Sequence, residues 1–269
     1  MRGINNVFIN DLNGGVLKDF LSYVKANDDL SLEIRKDYIN IYYRGGNALK
    51  ISQTNRGYSF FFDAKYCKNK GDDSKFDYLS SLKKTDYAEF LKAFPVILKE
   101  MDSWFVAHPK PEREYQHQLV KSNPFIVDIE YAGRTEANKL FRLDMVGVVD
   151  DKIYIFENKL GSSAVSGSAG LCKHYNDIVS IINSKAARSE LIESIINISK
   201  NKNELKLIKS TMNTSQLEIE ILFIIADFNE KSETINNEIK KFNGNYSAYL
   251  WLTKGDEFKI DFKKVTKIY

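Results

Sequence analysis

A chain of 269 residues with 43% hydrophobic and 28% charged side chains can bury a sizeable core, and its net charge of +3 is too small to point to an anionic partner. The composition excludes wholesale disorder, and the longest clean apolar run, 221–226, is too short for a bilayer-spanning segment. The two cysteines, Cys67 and Cys172, lack metal-ligand spacing, which argues against a zinc site or a disulfide framework. Together with an N-terminal stretch, MRGINNVFINDLNGG, that lacks the apolar core of a signal peptide, they make a reducing compartment, the cytoplasm, the expected location.

Val16, Leu17, Phe20, Leu21 and Val24 predict a short amphipathic helix over 15–26. Alternating or aromatic runs at 30–34, 38–43, 48–51 and 58–62, with a turn at Arg44-Gly45-Gly46-Asn47, predict an antiparallel meander. Residues 30–70 hold eight Lys/Arg against three acids, interleaved with Tyr38, Tyr42, Tyr43, Tyr58 and Phe60. Such a mixture can stack bases and track phosphates, but the core and wet face of a small sheet explain it more simply. After a polar loop at 68–75, Phe90, Phe94, Ile97, Leu98, Met101 and Phe105 predict a connecting helix over 86–107, kinked or restarted at Pro95 and stopped by His108-Pro109-Lys110-Pro111. The next helix carries Glu112 and Glu114 in its first turn, where the helix dipole favours acids, and His117 in it reads as structural.

Residues 125–130 predict the first strand of a second sheet. The stretch FRLDMVGVVDDKIYIFENKLG, 141–161, reads as a hairpin whose second strand, apolar on both faces at Ile153-Tyr154-Ile155-Phe156, belongs in the middle of a sheet. With the turn symmetric about Asp150 and Asp151, Val148 faces Ile153, Val146 faces Ile155 and Asp144 faces Glu157. Alternation then brings Asp144, Glu157 and Lys159 to one face at the open end of the hairpin. Directly opposed carboxylates repel, and a hard cation such as Mg²⁺ (or Mn²⁺) offsets that repulsion, since it binds oxygen and needs only one or two carboxylates beside its waters. A Gly/Ser-rich loop follows at 160–170; it can offer N–H groups to a phosphate, and flexibility explains it equally well. Leu171, Tyr175, Ile178 and Ile182 predict a helix with Tyr175 in the core and His174 at the stripe's edge, within reach of the site. The Lys-rich stretch 186–210 reads as a solvated helical face, and 219–226 as a buried strand ended by Asp227. A helix over 230–242 and a last hairpin of 246–252 with 258–262 complete the chain.

Asp144 followed by Glu157-Asn158-Lys159, with a helix and a strand before the hairpin and a helix after it, resembles the D…(D/E)xK signature of the PD-(D/E)XK nuclease superfamily. The resemblance covers about residues 112–262; Leu143 stands where the pattern has its proline. It implies an α/β fold, a restriction-endonuclease-like core with a mixed central sheet and flanking helices over 112–269. A small α+β antiparallel domain (1–83) and a connecting helix (84–111) would precede that core. The implied activity is metal-dependent hydrolysis of phosphodiester bonds in nucleic acid, DNA before RNA. Asp144 and Glu157 would hold Mg²⁺ or Mn²⁺, Lys159 would orient a water or stabilise developing negative charge, and Glu114 would be an auxiliary ligand. The rival is a catalytically inactive nuclease-like scaffold that binds nucleic acid or protein. A partner protein docking on residues 1–83 and a homodimer are compatible with either.

Overall fold

The structure, a computed structural model, describes residues 1–66, 87–135, 138, 140–209, 218–229 and 233–269. Cys67, the polar loop at 68–75, the expected helix start at 86 and residues 230–232 of the last expected helix lie outside the described residues. The chain forms two compact units, one of Arg2–Glu114 with Lys200–Leu207, the other of Met1, Tyr115–Ser199 and Ile208–Tyr269. No helix among the described residues is long and apolar enough to cross a membrane.

The first unit contains α1 (Asn6–Asn13), α2 (Lys18–Lys25), the strands β1 (Leu30–Ile34), β2 (Tyr38–Tyr43), β3 (Gly46–Thr54) and β4 (Gly57–Phe61), and the long α3 (Tyr87–Ala107). The strands form an antiparallel meander in chain order, and the β2–β3 turn places Arg44 and Gly45 at φ of 46° and 74°, the backbone that a tight hairpin turn requires. Sequence periodicity missed α1. It is capped by the Asn5 side chain, which accepts the Phe8 N–H at 3.0 Å, and it buries Phe8, Ile9 and Leu12. Helix α3, expected as a connector, belongs to this core: Phe60 stacks on Phe90 at 4.9 Å, and Phe20 lies 5.4 Å from Phe60 and 6.5 Å from Phe94. Tyr42, Tyr43 and Phe60 are buried, so these meander aromatics serve as core.

The second unit is built on a six-stranded sheet whose strands lie side by side in chain order. Helix α4 (Pro111–Ser122), in which the unit boundary falls, starts on Pro111, whose missing N–H would have had no helical partner anyway. It leads to β5 (Ile126–Arg134), β6 (Leu140–Val149) and β7 (Lys152–Leu160), which pair antiparallel. Two short turns of 3₁₀ helix, Ser162–Val165 and Gly167–Ala169, then lead to α5 (Leu171–Asn183) and α6 (Lys185–Glu204). After these come β8 (Glu218–Ala226), α7 (Thr234–Ile239), β9 (Ala248–Thr253) and β10 (Thr266–Lys267). β7, β8 and β9 run parallel, so β7 is where the antiparallel half of the sheet meets the parallel half. Both its faces are covered, as its continuous apolar run requires.

Two expectations fail here for physical reasons. Residues 186–210, read as a solvated face, include α6 with Ala187, Leu191, Ile195 and Ile198 buried at helical spacing, a stripe hidden among lysines. Residues 258–262 do not form a strand, and β9 pairs instead with β10. The buried side chain of Asn123 takes over the backbone groups a ladder would have used: its Nδ2 donates to the Phe258 carbonyl at 2.7 Å and its Oδ1 accepts the Ile260 N–H at 2.9 Å. Asn123→Ala strips both groups of their partner and should destabilise the protein by about 2–4 kcal/mol in urea unfolding. A loss below about 1 kcal/mol would mean that the segment is held some other way.

Candidate metal and catalytic site

The β6–β7 turn places Asp150 and Asp151 at φ of 48° and 60°, so both central residues take the left-handed conformation of a two-residue hairpin. The ladder pairs Val148 with Ile153 and Val146 with Ile155, the expected register, and ends at Met145 with Phe156. One position further on, the strands separate and the Asn158 N–H is donated to the Asp144 carboxylate. On β5 the ladder passes from Ile129–Met145 to Tyr131–Leu143, and Glu130, level with Asp144, sits at φ of 49°. Backbone strain of this kind gathers at functional sites.

Glu157 and Lys159 occupy the carboxyl end of β7 and are 3% and 7% exposed. The Lys159 ammonium is 2.8 Å from Glu157 Oε1. His174, from the first turn of α5, completes a triangle, with Nδ1 3.1 Å from Glu157 Oε1 and Nε2 3.2 Å from Lys159 Nζ. Burial, then the Lys159 charge, push the imidazole pKa down, so the ring is neutral. A neutral ring satisfies both contacts in one tautomer: Nδ1–H donates to the carboxylate and Nε2 accepts from the ammonium. Asp144 is half-buried, and its carboxyl is pushed up to about 7, first by desolvation and then by the charge of Glu157, with Lys159 and His174 opposing the shift. The two carboxylates thus raise the free energy of the ionised site, as like charges in low dielectric must.

The structure brings Asp144, Glu157 and Lys159 together, with His174 at the position its helix edge suggested. Glu114 is placed in the other compact unit, where its Oε2 lies 3.5 Å from Arg44 Nη2. Sequence reasoning overlooked two polar side chains, one of which touches the site. Gln116 of α4 donates from Nε2 to the Asp144 carbonyl at 3.0 Å, holding the backbone of the acid. Asp128 of β5 is fully buried opposite Val146, with Oδ1 accepting the Ile129 N–H at 3.0 Å. A lone acid inside the apolar run Phe125 to Ile129 was the signal for Asp128; a side chain reaching a main-chain carbonyl 28 residues away leaves no signal in sequence. Tyr175, by contrast, is core as expected, stacked on Phe242 at 4.3 Å with its hydroxyl donating to the Tyr246 carbonyl. Asp227 is a turn acid whose Oδ1 accepts the Gly255 N–H at 2.8 Å.

Among the described residues no group of three or more His, Cys, Asp or Glu side chains is arranged to hold a metal ion. The donor set fits a hard cation such as Mg²⁺ or Mn²⁺, which takes carboxylate oxygen and fills its other positions with water and substrate. Comparison with known proteins adds no relative: no protein-family model matches the chain, and no curated protein or solved structure is significantly similar to it.

Proposed function

We propose that the second unit is a restriction-endonuclease-like core and that the protein is a metal-dependent nuclease acting on nucleic acid, DNA before RNA. One observation carries this reading: two carboxylates and a buried ammonium converge where the β6–β7 ladder opens, at the carboxyl end of a central strand. Open α/β sheets bind their ligands at such strand ends.

Asp144 and Glu157 would hold the ion, which supplies a water of lowered pKa and polarises a phosphoryl oxygen when bound. To serve as ligands, Asp144 would have to be ionised and Glu157 would share its carboxylate between the ion and Lys159. The Lys159 ammonium would face the phosphodiester and stabilise the negative charge that develops on it. His174 keeps Lys159 within reach through Nε2, and Gln116 fixes the Asp144 backbone. The inactive-scaffold reading draws support from the Glu157–Lys159–His174 triangle, which already compensates the carboxylate internally.

Plasmid, linear duplex and single-stranded substrates incubated with Mg²⁺, Mn²⁺ or EDTA decide between the two. Cleavage with either ion and none in EDTA is the expected result; no cleavage of any substrate favours the scaffold. One residue inserted between Asp150 and Asp151 should shift the register, separate Asp144 from Glu157 and abolish cleavage, while the protein still folds. Undiminished cleavage in that insertion variant would contradict the proposed geometry.

A further inference from the structure

Beside Glu157 a cleft of about 180 Å³ opens between the start of β6 and α5. The buried Leu143, Ile178 and Ile181 supply its apolar lining together with Phe141, and the more exposed Arg142 and Asp177 supply polar groups. Glu157 itself and His174 also line it, so the cleft is continuous with the acid site. We propose that this cleft receives one unpaired nucleobase next to the phosphodiester, so that the substrates are single strands or frayed ends; this rests on the nuclease reading above.

Size comes first. At roughly 10–15 Å³ for each water-sized position, the cleft has room for a dozen or more atoms, enough for one base, purines included. It is smaller than the sites of about 300–1,000 Å³ that enclose a whole drug-sized ligand. Charge comes second. Glu157 is paired with Lys159, Asp177 with Lys173, and Arg142 lies 3.7 Å from Glu130. A lining balanced in this way has no excess cation for a phosphate and suits a neutral ring, whose N–H and C=O edges can bond to Asp177 and Arg142. Rigidity comes third. The Phe141 ring lies over Gly133, where a Cβ would approach it to 2.6 Å, and it stacks with Tyr131 at 6.2 Å. A fixed aromatic ring is the kind of surface on which unstacked bases rest, whatever their sequence. A base inside a duplex would have to leave its stack to enter, whereas an unpaired one would not.

The test titrates the full chain, in EDTA so that nothing is cut, with a fluorescein-labelled oligothymidylate and with the same backbone made abasic. The base-bearing strand should bind about tenfold tighter. In Ser180→Phe, which fills the cleft from an exposed position lining it, that preference should shrink below about twofold. Equal binding of the two strands, binding of neither, or a preference undiminished in Ser180→Phe overturns the proposal. With Mg²⁺, blunt duplex cut as fast as single strands or frayed ends overturns the substrate class. Base-dependent binding that Ser180→Phe removes, without cleavage of anything, keeps the base site and discards the nuclease reading. Metal-dependent cleavage without base preference does the reverse.

Discussion

Lys159→Met should lower metal-dependent cleavage by about 10²–10³-fold while enlarging the rise in melting temperature that Mg²⁺ brings. The two effects have one cause. Lys159 is 7% exposed and its ammonium is the nearest compensating charge to Glu157, at 2.8 Å. Removing it leaves a buried carboxylate beside a second acid, and breaking a buried pair from one side costs about 3 kcal/mol or more in the metal-free protein. A bound cation restores that compensation, so the variant gains more from metal than the parent does. It cannot restore the ammonium that, in the proposed mechanism, would meet the developing phosphoryl charge. Single-turnover cleavage and thermal unfolding, each with and without Mg²⁺, separate the two. Unchanged metal-free stability would mean that the Glu157–Lys159 pair does not hold in solution, and full cleavage would remove the lysine from the chemistry.

The metal-free protein should lose stability through Asp144 as pH rises from about 4 to about 7. In the unfolded chain an aspartate ionises near 3.9, whereas in the folded protein this carboxyl is pushed up to about 7. Between those values the folded state binds the extra proton, so stability falls as pH rises; the slope vanishes below the lower value and above the upper one. The loss should be on the order of 1–3 kcal/mol. Other carboxylates oppose it in the total, which makes the comparison with Asp144→Asn the readable quantity: the variant should lack this component and be the more stable metal-free protein at pH 8. Because the proton must leave before Asp144 can act as a ligand, Mg²⁺ affinity should also climb with pH up to about 7 and then level off. Parallel stability profiles for parent and variant between pH 4 and 8 would contradict the strained carboxyl pair.

The hairpin was legible because three local signals agree on it. Alternation, the Asp150-Asp151 turn and the apolar run at Ile153 to Phe156 lead to one register, and that register brings Asp144 and Glu157 to the same end. The elements misjudged in sequence are those decided by distant partners. Phe258 to Phe262 has the composition of a strand, yet Asn123, more than 130 residues earlier, satisfies its backbone. Helix α6 is a different case, since its buried stripe of Ala187, Leu191, Ile195 and Ile198 is periodic and was masked only by the charge around it. The Glu157–Lys159–His174 triangle lay between these extremes: strand alternation and helix periodicity bring the three side chains near one another, but only the fold sets which nitrogen meets which oxygen.

Thermal unfolding of the parent and of the double variant Asp144→Asn/Glu157→Gln decides whether Asp144 and Glu157 together hold a divalent cation. Each protein is melted at pH 8 in EDTA and in millimolar Mg²⁺ or Mn²⁺, with cleavage assayed on the same samples. Ligand binding to the native state stabilises it by RT ln(1 + [L]/Kd), about 2.7 kcal/mol at a hundredfold excess over Kd. The parent is predicted to melt higher with metal and to cleave; the double variant is predicted to ignore the metal in both respects. An equal metal-induced shift in the two proteins, or a parent with neither a shift nor metal-dependent cleavage, would contradict that joint role.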